Sequence, residues 1–184
     1  MAFTNAILST SDLSISSINF TSLSQAYLAL ELKICASSTM ALMLVFVVLG
    51  FESFIEMPEG SVAALPWAII GSFVLGAIIF LYIMLAFPKK GYAVREHDLN
   101  YTSGLLFQMH VCQPILRIQH IEIKRGPLER KVGLASLYVY SAGGVQHTFA
   151  IPGLAYDTAT RLRSFILEHR DLQKEETEND RRDD

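Results

Sequence analysis

Two long apolar segments, separated by a short acidic break, constrain this chain more than any other feature. They cover residues 34–55 and 65–87, and Glu52 is the only charged residue inside either of them. Each segment is longer than the roughly 18 residues that a helix needs to cross about 30 Å of hydrocarbon. A water-soluble domain would interrupt such segments with a polar face. We therefore expect a hairpin of two membrane-spanning helices, with Glu52 near the interface.

Basic residues flank this hairpin but are missing from its connection. Lys33 precedes the first segment, Lys89 and Lys90 follow the second, and residues 56–60 contain no base. Loops on the cytoplasmic side of a membrane are enriched in Lys and Arg. We therefore expect both termini in the cytoplasm and the connection outside.

The net charge of −3 is divided unevenly along the chain. Residues 89–170 carry eleven basic and six acidic side chains, whereas residues 171–184 carry three basic and seven acidic ones. Such an acidic end with few apolar residues is typical of a disordered tail. The predicted divisions are a partly disordered N-terminal extension over 1–32 with a candidate interfacial helix over 22–33, the hairpin over 33–88, a cytoplasmic domain over 89–170 and an acidic disordered tail over 171–184.

After Pro88 the apolar runs give way to alternation. Residues 105–111 are apolar at every second position, which predicts a half-buried strand. Residues 116–124 also alternate, but the phase slips by one residue near Gln119, which indicates a bulge. The further predicted elements are a strand over 135–139, a hairpin turn at Gly143-Gly144, the end of a strand at Pro152-Gly153 and an amphipathic helix over 154–170.

Five short elements resemble, in order, those of bacterial pleckstrin-homology-like (PH-like) domains. They are PILRIQHI at 114–121, GPLER at 126–130, GLASL at 133–137, SAGG at 141–144, and IPGL at 151–154 before the last helix. Over about 34–170 the chain resembles membrane proteins of the YdbS type, in which two spans precede such a domain. The resemblance implies an α+β membrane protein whose small antiparallel PH-like barrel or sandwich has seven strands and a C-terminal capping helix. It also implies that the chain lies in the plasma membrane, the inner membrane of a bacterium, and it supplies no catalytic residues.

The chain contains no recognisable catalytic constellation. HExxH, CxxC, a nucleophile elbow and a phosphate-cradling loop are all missing from the sequence. His110 and Cys112 are two residues apart on one strand face, but a third metal ligand is not evident. We expect the protein not to be an enzyme, to use no cofactor or metal, and to bind no nucleic acid.

The second apolar segment carries a stripe of small residues on one helix face. These residues follow each other at every fourth position: Ala64, Ala68, Ser72 and Gly76. Small residues let helix backbones approach closely in lipid. We interpret the stripe as packing inside the hairpin, and the alternative is a contact between copies of the chain.

Two further groups are candidate binding residues. Four bases flank the Gly126-Pro127 turn, where they could contact anionic headgroups or remain a solvated loop: Lys124, Arg125, Arg130 and Lys131. Arg117 and Gln119 lie near the bulge, where a strand edge could bind a peptide. The alternative for Arg117 is an ion pair with an acid inside the domain.

Two functions are consistent with these patterns. The first is a membrane-anchored binding or assembly module on the cytoplasmic face, with protein partners or copies of itself. The second is recognition of anionic lipid headgroups by the basic turn around Gly126-Pro127. Because the hairpin already anchors the chain, lipid binding is not needed for localisation, and this favours protein interaction.

Overall fold

The computed structural model describes residues 19–50, 59–95, 97–141 and 149–180, without the side chains of 59–63 and 173–180. The predictions for Glu52 and for the Gly143-Gly144 turn lie outside these residues, as does most of the N-terminal extension.

The described residues form a helical hairpin and a small α+β domain, which confirms the predicted fold class. The helices are α1 (Gln25–Leu49), α2 (Glu59–Ala86), α3 (Pro127–Lys131) and α4 (Tyr156–Asp180). The strands are β1 (Thr21–Ser22), β2 (Gly91–Val94), β3 (Asp98–Ser103), β4 (Met109–Pro114), β5 (Ile118–Lys124), β6 (Leu134–Ser141) and β7 (Phe149–Ala155). All pairings are antiparallel, and the strands form two sheets in the orders β1-β2-β3-β4 and β5-β6-β7.

Helices α1 and α2 are both long and apolar enough to cross a membrane. Helix α1 begins at Gln25 and continues without a break, so the segment over 22–33 is not a separate interfacial helix. The Ser24 hydroxyl caps the helix by accepting a hydrogen bond from the Ala26 N–H at 3.3 Å. Neither proline nor glycine interrupts residues 25–49, so the helix that Ser24 starts runs directly into the apolar segment.

The two apolar helices contact each other through the C-terminal half of the small-residue stripe. Ser72 and Gly76 are buried, Ala68 is half-buried and Ala64 is exposed. Gly76 lies against Thr39 of α1, and its carbonyl oxygen is 3.8 Å from the Cys35 sulfur. The α1 face in contact therefore contains Cys35 and Thr39. This geometry gives a physical reason for glycine at residue 76.

Replacing Gly76 with leucine is expected to loosen the hairpin. A Cβ atom at residue 76 would lie 2.5 Å from the Thr39 hydroxyl oxygen, closer than any ordinary contact. Overpacking of this kind costs about 1–3 kcal/mol. Gly71→Leu is the matched control, because a Cβ atom at that residue meets nothing within 4 Å. Thermal unfolding in detergent should therefore separate the two variants, and equal midpoints would show that Gly76 does not contact α1.

Apolar side chains from both sheets and from α4 form the core of the soluble domain. The Tyr101 and Phe149 rings join the sheets by stacking at 6.0 Å between centroids. The most deeply buried large side chains are Leu99, Ile115, Ile118, Ile121, Leu134, Leu137, Val139, Ile151 and Ile166. Leu23 is also only 3% exposed, and β1 pairs with β2. The last part of the predicted N-terminal extension is therefore built into the domain.

Three predicted elements differ from the structure. Strand β4 begins at Met109, and Phe107 is 90% exposed instead of lying on a buried strand face. Strand β7 continues through Pro152-Gly153 to Ala155, because an edge strand tolerates a proline. Helix α4 extends to Asp180, so the prediction of disorder was wrong for 171–180. That segment is rich in Glu, Gln and Lys, which favour helix.

Tyr27 joins the soluble domain to the start of α1. Its ring lies against Gly153 of β7, where φ is +67° and a Cβ atom would overlap the ring. The ammonium group of Lys90 lies 5.2 Å from the Tyr27 ring centroid and 3.1 Å from a carboxylate oxygen of Glu31. The Ser24 N–H also donates to the Gly153 carbonyl at 3.3 Å. These contacts fix the domain against the end of the spanning helix.

Candidate functional site

A groove runs between the edge of β5 and the first half of α4. Its volume is about 770 Å³. Strand β5 and Arg125 line one side, and Tyr156, Thr160 and Arg163 of α4 line the other, with Arg130 at one end. The three α4 residues are spaced by four and three positions, so they share one face of the helix.

Helix α4 runs antiparallel to β5. At one end, the Arg125 guanidinium group lies 4.3 Å from the centroid of the Tyr156 ring. At the other end, Arg170 donates a hydrogen bond to the Gln119 carbonyl at 3.1 Å. The helix rises about 21 Å between Tyr156 and Arg170, and the strand rises about 20 Å between Gln119 and Arg125. Contacts therefore join the helix and the strand at both ends of the groove.

The side of β5 that faces away from β6 is unpaired among the described residues. In an antiparallel sheet, alternate backbone N–H and C=O groups of an edge strand point away from its one neighbour. The register shifts between Ile118 and His120, which confirms the predicted bulge at Gln119. Because Arg170 already contacts the Gln119 carbonyl, the open edge is confined to residues 120–124. Such an edge can pair with an added strand.

Charged side chains on β5 form a small network beside this edge. The Lys124 ammonium lies 3.0 Å from a Glu122 carboxylate oxygen, and the Tyr140 hydroxyl donates to the same carboxylate at 2.9 Å. Hydrogen bonds from Lys124 and then Tyr140 lower the pKa of Glu122, and the bond to Glu122 raises the pKa of Lys124. Both groups therefore stay charged at neutral pH, and the negative charge of Glu122 offsets the positive charge of Lys124.

Basic side chains outnumber acidic ones around the groove. Lys124, Arg125, Arg130 and Arg163 line it, and Glu122 is the only carboxylate among its lining residues. Arg125 is held in place, since its Nε–H donates to the Leu134 carbonyl at 3.0 Å while its guanidinium group stacks on Tyr156. Arg130 and Arg163 are exposed. This electrostatic balance favours an acidic ligand.

The residues proposed from sequence for protein contact lie at the bulged end of β5. Arg117 and Gln119 are both exposed, and neither lines the groove. Within the described residues, Arg117 forms no ion pair that would support its structural alternative. The sequence reasoning missed Tyr156, Thr160 and Arg163. Their spacing on the polar face of α4 was visible, but the strand that this face lies beside was not.

Of the four bases proposed for lipid contact, two are engaged by other residues and two are exposed. Lys124 and Arg125 are engaged by Glu122, Leu134 and Tyr156, as described above. Arg130 and Lys131 are exposed at the end of α3, which contacts α1. Residues 127–131 form a short helix rather than an open turn, because the Glu129 carboxylate accepts hydrogen bonds from the Gly126 N–H and the Ser136 hydroxyl. Glu129 is thus a structural cap.

Among the described residues, the histidine and cysteine of β4 do not belong to a cluster of metal-ligating side chains. His110 and Cys112 are exposed, and the Cys112 sulfur lies 3.7 Å from an Asp98 carboxylate oxygen. Partial desolvation first, and the Asp98 carboxylate second, raise the pKa of the Cys112 thiol, which disfavours the thiolate that a metal would need. Among the described residues, no group of three ligating side chains is close enough to hold a metal ion.

Comparisons with known proteins agree with this architecture. A family model described as the bacterial PH domain matches residues 28–170. The transmembrane protein YdbS of Bacillus subtilis (strain 168) is 34% identical over 94 residues, which is 50% of this chain and 57% of that protein. The match therefore spans little more than half the length of this curated relative. No solved structure matches the chain significantly.

Proposed function

We propose a binding function for this chain, which belongs to the bacterial PH domain family and is a membrane protein with two candidate spans. The family is defined by a PH-like domain rather than by an enzymatic activity, so the proposed function is binding. The domain is a cytoplasmic module, anchored by the hairpin, that acts through protein–protein interaction. Its partner is another protein or a second copy of the chain.

The observation that carries this proposal is the groove along the open edge of β5. A partner segment in extended conformation can add a strand to residues 120–124, where its backbone makes the hydrogen bonds that β6 makes on the other side. Such a segment covers about 16 Å of edge. The exposed guanidinium groups of Arg130 and Arg163 favour acidic side chains in it. The proposed ligand is therefore an extended acidic protein segment.

Selection from short random peptides tests this proposal on the full chain in nanodiscs. We expect the selected peptides to be enriched in Asp and Glu. Arg163→Glu should weaken their binding about tenfold or more, because a hydrogen bond between charged groups contributes about 1.5–3 kcal/mol. Binding should be measured by fluorescence anisotropy with labelled selected peptides.

Arg161→Glu is the matched control for this experiment. It makes the same charge change on the same helix, but residue 161 does not line the groove. Equal weakening by both variants would show that the peptides respond only to overall charge. Selection of basic or uncharged peptides would also contradict the proposal.

The second proposal, recognition of anionic headgroups, rests on Arg130 and Lys131. It is supported by the contact between α1 and α3, the short helix that ends at Lys131. Changing Lys131 to Gln separates the proposals, since Lys131 does not line the groove and a peptide would retain Arg130 and Arg163. Under the lipid proposal, the protein extracted in detergent would lose its enrichment in anionic over zwitterionic lipid.

A further inference from the structure

The loop between β3 and β4 ends in an apolar tip that the fold leaves uncovered. Residues 104–108 read GLLFQ, and Leu106 and Phe107 are 75% and 90% exposed. Gly104 makes the loop tight: its φ is +100°, and a Cβ atom there would overlap the Phe107 carbonyl oxygen. The two apolar side chains are thus held outward by the backbone, away from the core of the domain.

This loop lies beside the end of the membrane hairpin. Gly104 borders a cavity of about 480 Å³ together with Glu31 and Cys35 of α1 and Tyr82 and Ala86 of α2. Gly104 and Gln108 border a second cavity with Lys89 and Lys90. Tyr82 is seven residues, or about 10 Å of helix, before Lys89. The base of the loop is therefore level with the last turns of α2.

Those last turns of α2 present apolar side chains to the surroundings. Ile79, Tyr82 and Leu85 are 44%, 42% and 52% exposed, as expected for side chains that face lipid. Lys89 and Lys90 follow them in the sequence, and lysines at the end of a membrane span lie at the level of the lipid headgroups. The apolar tip of the loop therefore continues the apolar surface of the hairpin at the interface.

We propose that Leu106 and Phe107 insert into the headgroup and acyl boundary of the bilayer that the hairpin spans. Burial of an apolar tip in this layer is favourable, and aromatic side chains are enriched there. The loop and the Tyr27 contacts would then hold the domain at two places, one to lipid and one to α1. This inference does not depend on the proposed peptide groove.

Depth-dependent fluorescence quenching tests the insertion on the full chain in nanodiscs of phosphatidylcholine and phosphatidylglycerol. The parent variant is Cys112→Ser, whose remaining cysteine, Cys35, is buried. An environment-sensitive probe is attached to Phe107→Cys in this parent. We expect blue-shifted emission and several-fold stronger quenching by lipids brominated close to the headgroup than by a water-soluble quencher.

Leu116→Cys is the matched control. Leu116 is 47% exposed and follows the other end of β4, about 20 Å from the loop. Its probe should respond to the water-soluble quencher and not to brominated lipid. The proposal is overturned if both probes behave alike. It is also overturned if the Phe107→Cys probe is shielded only when a nanodisc contains two chains, since a second copy would then cover the tip.

Discussion

Gly153→Ala is expected to destabilise the domain far more than Gly133→Ala. Both glycines have a positive φ, +67° and +72°, so alanine costs about 1–2 kcal/mol of backbone strain at either residue. A Cβ atom at residue 133 meets nothing within 4 Å, whereas at residue 153 it overlaps the Tyr27 ring. The overlap adds an overpacking cost of about 1–3 kcal/mol.

Chemical unfolding of the two variants in detergent measures this difference. Gly133→Ala measures the cost of backbone strain alone. The difference in unfolding free energy between the two variants therefore measures the contact between Gly153 of β7 and Tyr27 of α1. Tyr27→Ala combined with Gly153→Ala should be less destabilising than the two single changes taken together, because the ring that is overlapped has gone. Equal stability of Gly153→Ala and Gly133→Ala would show that Tyr27 does not pack on Gly153.

The second prediction concerns the orientation of the hairpin in the membrane, for which a cysteine in the connection is expected to be either labelled from outside or not labelled at all. In cells that carry the Cys112→Ser background, a cysteine at Ser61 should react with a membrane-impermeant thiol reagent. Lys33, Lys89 and Lys90 flank the hairpin and are expected to remain in the cytoplasm, which leaves residue 61 outside.

The native Cys112 is the matched reporter for the opposite side. It is exposed in the soluble domain and should stay unlabelled until the membrane is permeabilised. Labelling at mildly alkaline pH compensates for the raised pKa of its thiol. Labelling of Cys112 from outside, with Ser61→Cys silent, would invert the proposed orientation.

Patterns that depend on local chemistry were predictable from the sequence. The apolar segments predicted the long apolar helices α1 and α2, although α1 begins earlier than the apolar segment does. The phase slip around Gln119 predicted the bulge in β5, because alternation directly reports which face of a strand is buried. Resemblance to a known family supplied the antiparallel sheets and the C-terminal helix, but of the seven described strands six lie within 89–170 and β1 comes from the N-terminal extension.

Features that depend on distant partners were not predictable. Thr21 and Ser22 form a strand because they pair with β2, which is distant in the sequence. The sequence analysis also predicted no strands over 91–103, where β2 and β3 lie. Leu105 and Phe107 alternate like strand residues, but the tight turn at Gly104 removes them from the sheet. The groove was missed for the same reason, since α4 and β5 meet through the tertiary fold.

Hydrogen exchange along β5 tests the central claim of a binding edge most directly. The full chain in nanodiscs is compared with and without a saturating selected acidic peptide. Strand addition predicts slower exchange of the outward-facing amides within 120–124, because the peptide backbone accepts hydrogen bonds from them. Unchanged exchange along β5 with the peptide bound, or protection confined to another surface, would contradict the account.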